Sequence, residues 1–243
     1  MNLARVEYYL SEYLSIIESR EFDVDNNIKT DRLFPAEYLP EGNKYANLRI
    51  PENIYIVGTV NMDDTTFAFS RKVLDRANTI EFSDVDLDAL DFNNEECESI
   101  DVDNNFFKTS FLNIKDALNT DDAFVRQTNS KVKDINEILE QGNKNFGYRV
   151  RDEIVFYMLE NKINDLLSED EAFDFQIMQK ILPIITGSEL LVKEILIKLF
   201  NYCNTNGKEV TATIEYIKEC EVELKSGKIK YKKSAKKILM MLR

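Results

Sequence analysis

The 243-residue chain has no histidine and no tryptophan, and only seven glycines, four prolines and three cysteines. Without histidine there is no Ser-His-Asp or Cys-His nucleophile, no His-containing zinc site and no imidazole pH switch. None of the glycines falls in a G-x-x-x-x-G-K-[ST] or G-x-G-x-x-G spacing, the loops whose backbone amides cradle phosphates. Cys97, Cys203 and Cys220 are too few and too scattered for a disulfide framework or a four-ligand zinc site, a usage that suits a reducing compartment. A signal-peptide pattern and an apolar run of transmembrane length are both lacking. The expectation is a cytoplasmic protein with no membrane partner.

Apolar residues make up 44% and charged residues 31%, enough of each for a soluble globular fold of one large or two modest domains. The net charge of −13 argues against a general nucleic-acid binder, because duplex phosphates repel it. The charge is unevenly spread. Residues 1–224 hold 44 acidic and 23 basic residues, whereas 225–243 hold eight basic residues and no acidic one.

Along the chain, Leu3, Val6, Leu10, Tyr13, Leu14 and Ile17 recur at spacings of three and four, which predicts a helix over 3–20. Turn signals at Asn26, Asn27, Pro35, Pro40 and Gly42 make 22–47 a loop or hairpin. The run Ile54-Tyr55-Ile56-Val57-Gly58-Thr59-Val60 is β-branched, aromatic and too short for a helix. Its continuous apolar character suits a strand buried on both faces, as in a parallel α/β sheet. Ser70 can cap a short helix through Arg76, and Thr79–Phe82 reads as a second strand. Asp84–Asp103 carries nine carboxylates and no basic residue, the composition of a solvated linker or insertion. Helical patterns follow over 130–140, 149–161, 174–181 (stopped by Pro183) and 188–203, with a last helix from about Ser234.

The block Gly58-Thr59-Val60-Asn61-Met62-Asp63-Asp64-Thr65-Thr66, with Phe69-Ser70-Arg71-Lys72-Val73-Leu74-Asp75-Arg76-Ala77, resembles the sensor-1 strand and arginine-finger helix of McrB-like AAA+ NTPases. These are motor subunits of modification-dependent restriction systems. Met1–Glu7 is similar to the stretch after that family's Walker B carboxylates. Phe146-Gly147-Tyr148-Arg149-Val150 and Lys180-Ile181-Leu182-Pro183 are similar to its helical lid. The resemblance implies an α/β plus α fold, the C-terminal part of an AAA+ P-loop core followed by a helical lid. On that reading 1–82 is the partial core, 83–126 the acidic linker or insertion and 127–243 the lid. Walker A and the Walker B carboxylates would lie before residue 1, so the expectation is the C-terminal half of a longer protein, inactive alone. Mg²⁺ with GTP or ATP would serve the complete protein, and no cofactor is expected for this chain alone. The implied partners are other AAA+ subunits in a ring, a McrC-like nuclease subunit and, indirectly, DNA.

Three residues carry the implied chemistry. Asn61, at the end of the apolar run, would be sensor 1, orienting water against a γ-phosphate; the alternative is an Asn that closes a strand into a turn. Arg76 would be the arginine finger, with an ion pair to Asp75 or Asp63 as the alternative and Arg71 as a second candidate. Arg149, opening a lid helix, would be sensor 2 and nucleotide-binding; the alternative is an ion pair with Asp152 or Glu153. Asp63 and Asp64 read as turn and cap chemistry, so no metal site is assigned. A competing reading of the whole chain is a non-enzymatic interaction module or degenerate remnant that docks on an AAA+ ring or nuclease subunit.

Overall fold

The computed structural model describes residues 1–61, 66–82, 99, 101–205, 207–211 and 216–243. Its regular structure is almost entirely helical. The long elements are α5 (Ile114–Glu140), α6 (Tyr148–Asn164), α7 (Glu169–Gln176), α8 (Leu190–Cys203), α9 (Tyr216–Ser226) and α10 (Lys232–Leu242). Before them come the short helices α1 (Val6–Tyr9), α2 (Ser11–Ile16), α3 (Arg71–Leu74) and α4 (Asn104–Phe107). The ladder that exists joins β1 (Glu21–Phe22) to β2 (Ile28–Lys29), two residues each and antiparallel.

The bundle follows from its periodicity. Val192, Ile195, Leu196, Leu199 and Phe200 line one side of α8 and are all buried, as are Val132, Ile135 and Leu139 of α5 and Val150, Ile154 and Met158 of α6. These stripes merge with Phe173, Ile177 and Ile181 and with Ala235, Ile238 and Leu239 of α10 in one core. The helix starts have local causes. Asn113 and Asp116 form a reciprocal capping box at α5, and Ser168 and Glu171 form another at α7. Helix α5 has one non-helical residue, Asp121, whose carboxylate takes the Lys162 ammonium at 2.7 Å. Helix α10 is capped from outside: the buried Asp174 carboxylate accepts the amides of Lys233 and Ser234, each at 2.8 Å.

After α7 the backbone widens into a π-helical turn, Ile177–Ile181, then tightens into a 3₁₀ turn, Leu182–Ile184, around Pro183. Proline has no amide to donate and cannot continue the α-helical ladder.

The α/β core expected before residue 83 is not there. Ile54–Val60 runs without turn, bend or ladder, and Thr79–Phe82 is not a strand either. Among the described residues there is no parallel pairing, and a two-stranded, two-residue ladder cannot form a P-loop core. The fold class is therefore corrected to a helical bundle with an irregular N-terminal stretch laid against it. The physical reason is visible in the burial. Among the described residues before Phe111, Val6, Ile16 and Val73 are the buried hydrophobics, whereas the bundle holds all the rest. A strand apolar on both faces needs neighbours on both edges and layers on both faces, and this stretch supplies neither.

The helix expected over 3–20 appears in pieces, α1, α2 and a 3₁₀ turn at Ile17–Ser19, and 22–47 does contain the hairpin. The acidic stretch lies for the most part outside the described residues.

Candidate functional site

The N-terminal stretch meets the bundle through polar contacts. Arg71 donates from Nη1 to the Asn145 carbonyl at 2.7 Å, which ties α3 to the loop between α5 and α6. The Thr79 amide and hydroxyl both donate to the Gln179 carbonyl on the π turn, at 3.3 and 2.7 Å. Tyr55 donates its hydroxyl to Asn104 Oδ1 at 3.1 Å, and Lys108 pairs with Glu52 at 3.3 Å. The Lys237 ammonium of α10 pairs with Glu81.

Two of the three residues singled out from the sequence converge at this junction. Arg76, just past α3, and Arg149, in the first turn of α6, both reach the Glu18 carboxylate, Arg149 through Nη2 at 2.6 Å. Arg76 also donates to the Lys72 carbonyl, while its Nε is buried with no partner. Among the described residues Arg76 forms no ion pair with Asp75, and Arg149 none with Asp152 or Glu153; Asp152 is taken by Arg151 at 2.7 Å. Asp63 lies outside the described residues. Asn61 is placed elsewhere. It is exposed, and its carbonyl accepts the Asn2 amide at 2.8 Å and the Thr66 hydroxyl at 2.9 Å.

Lys180 belongs to the same junction, and no local pattern marks it as buried. It sits on the π turn, 2% exposed, with Nζ lacking any hydrogen-bond partner. Burial pushes its pKa below the ordinary 10.5, and the negative charges of Glu153 and Asp75 oppose that shift. Glu153 is one turn on from Arg149 and Asp75 is next to Arg76, so these groups form one contiguous patch. Three carboxylates face two guanidiniums and one lysine. Glu18, on the 3₁₀ turn after α2, thereby links that turn to the end of α3 and the first turn of α6.

The basic C-terminal run is largely engaged. Lys230 pairs with Asp170 at 3.1 Å, Arg243 with Glu221 at 2.6 Å, and the Lys233 ammonium lies 3.6 Å from the centre of the Phe175 ring. Among the described residues no group of three or more cysteine, aspartate or glutamate side chains could hold a metal ion.

The second feature is surface. Ile54, Tyr55, Ile56 and Val57 are 49%, 53%, 52% and 92% exposed in succession. Among the described residues no backbone hydrogen bond uses the amides of Tyr55–Val60.

A family model, Domain of unknown function (DUF8727), matches residues 94–243. The chain belongs to the DUF8727 family. The matched span contains the whole helical bundle, so it is the bundle, not the N-terminal stretch, that carries membership. No curated protein and no solved structure matches the chain. The resemblance to McrB-like AAA+ motors is thus overturned by two findings: the family that matches is DUF8727, and the sheet on which a P-loop core depends is missing among the described residues. The reading of the chain as part of an ATPase or GTPase falls with it. Arg76 and Arg149 are found joined within one chain by Glu18. No helix among the described residues is long and apolar enough to cross a membrane.

Proposed function

We propose that the chain is a non-enzymatic interaction module: a DUF8727 helical bundle that supports and presents an apolar, strand-competent segment to a protein partner. The observation that carries this reading is the succession Ile54–Val57, uncharged, half to fully exposed, and part of a run whose amides meet no backbone acceptor among the described residues. Exposed apolar surface with free backbone donors is costly in water and is commonly the footprint of a partner. Arg76, Arg149 and Glu18 act here as positioning residues, clamping the N-terminal stretch to the bundle.

The test is site-specific photocrosslinking in the native cell. A benzophenone amino acid in place of Val57 should give one discrete covalent adduct. The same group in place of Leu190, an exposed apolar residue of α8, should give none. Equal, diffuse labelling at both positions would refute the reading.

A further inference from the structure

Residues 70–81 lie across the π turn on both sides of Lys180. The Thr79 amide and hydroxyl hold the Gln179 carbonyl, just before it, and α3 packs against the 3₁₀ turn Leu182–Ile184, just after it. Asp75 of this segment and Glu153 of α6 are the carboxylates that act on the Lys180 ammonium through space. The segment is held mainly by polar contacts. Arg71 reaches the Asn145 carbonyl and Glu81 takes the Lys237 ammonium, while Val73 is its one buried hydrophobic residue, with Leu74 half-buried beside it. Among the described residues six buried side-chain polar atoms have no hydrogen-bond partner, and three of them belong to this contact: Ser70 Oγ and Arg76 Nε on the segment, and Lys180 Nζ on the turn it crosses. Such atoms are rare in folded interiors, because each gives up its hydration for nothing.

We propose that residues 70–81 are a releasable strap, which opens as a unit while the bundle stays folded and so brings the Lys180 ammonium to the surface. Opening breaks the two Thr79 bonds, the Arg71 bond and the Lys237–Glu81 ion pair, and it uncovers little apolar surface. In return water reaches Ser70, Arg76 and Lys180, whose unpartnered atoms load the closed form. The load sits chiefly on Lys180, since a charge loses more hydration on burial than a neutral group does. Once released, α3 has no reason to persist, because four residues are too few for a helix to stand alone. The closed and open forms are therefore close in free energy, which makes the strap a two-state element and not a fixed joint. The bundle is held differently, by the buried stripes of α8 and α10. This device lies apart from the exposed Ile54–Val57 succession and does not rest on the interaction-module reading.

Native-state hydrogen exchange of the full chain, corrected for intrinsic rates, is the primary measurement. The Thr79 amide, bonded across the contact, should exchange together with the Leu74, Asp75 and Ala77 amides. All four should exchange at least about a hundredfold faster than residues 195–200 of α8, which wait for global unfolding. Lys180→Met removes the load and should slow the Thr79 amide about tenfold. Thr79→Val removes only the hydroxyl donor and should speed the Asp75 and Ala77 amides about fivefold. A pulse of acetic anhydride on the folded chain reads the opening from the other side. Lys180 should acetylate slowly, and about fivefold faster in Thr79→Val, while the exposed Lys133 labels quickly and equally in both. A Thr79 amide that exchanges only as slowly as α8 overturns the proposal. So does a Thr79 amide indifferent to Lys180→Met, or a Lys180 that resists acetylation until the whole chain unfolds.

Discussion

Replacing Lys180 by methionine should stabilise the protein, because it removes a buried ammonium and keeps an unbranched stem of similar length. The Lys180 side chain is 2% exposed and its nitrogen meets no acceptor. An unsatisfied buried polar group costs about 1–3 kcal/mol, and more when charged, while Glu153 and Asp75 offset part of this through space. A net gain of about 1–3 kcal/mol corresponds to a rise in Tm of roughly 2–12 °C in a chain of this size. The pH dependence follows from the direction of the shift. Native Lys180 has a pKa depressed below 10.5, so between the two values the unfolded chain binds more protons and stability rises with pH. Below the depressed value the penalty is fully present. The advantage of Lys180→Met should accordingly be largest at neutral pH and shrink as pH climbs towards the ordinary lysine value. Urea unfolding followed by far-ultraviolet circular dichroism, on both proteins across that range, reads this directly. A variant less stable than the parent at neutral pH, or a difference that does not change with pH, would refute the reasoning.

Glu18→Gln should cost about 1–3 kcal/mol because it leaves two guanidiniums without their carboxylate, whereas Arg149→Ala should cost about 0–1, its side chain being 42% exposed. The loss should be local, with hydrogen exchange speeding up at Arg71–Leu74 and not in α8. Asp174→Ala removes the external cap of α10 and strands the buried Ser234 amide and the part-buried Lys233 amide, for a cost of about 2–4 kcal/mol in urea unfolding, with Asp174→Asn losing less because one acceptor survives. Burial pushes the Cys220 thiol up to about 12 and the Cys203 thiol up as well. In a Cys97→Ser background neither should react with a disulfide reagent at mildly alkaline pH until the chain is unfolded; prompt labelling of the native protein would contradict their burial.

The bundle was legible where one helix face made its own case. The stripe Val192, Ile195, Leu196, Leu199 and Phe200 marks α8 to within two residues at its start, and the stripes of α5 and α6 are equally plain. Helix α9 and the first half of α5 were not legible. The α9 sequence, YIKECEVELKS, buries Cys220 and Glu223 but leaves Val222 exposed, so its apolar pattern does not report its inner face. The start of α10 was read to within two residues, at about Ser234, but its cap was not, since Asp174 lies 59 residues away from the amide of Lys233.

The segment Ile54–Val60 shows where pattern reading and structure part. Its composition reads as a strand, but a sheet is a property of neighbours, and hydrogen-bond partners on both edges cannot be read from one strand. Arg76 and Arg149 were chosen as cations at helix ends, and the structure brings them to the same carboxylate, Glu18, which no local spacing identifies.

What the sequence by itself determined is the chemistry excluded by the missing histidine and phosphate loops, and the helical periodicity of the residues that form the bundle, because those depend on residue type and short spacing alone. Only the tertiary structure decided that the apolar run pairs with no strand among the described residues, that Lys180 is buried without a hydrogen-bond partner, and that two distant arginines close on one glutamate. Each of these depends on which surfaces meet across long stretches of chain, and burial and pairing exist only once they have met.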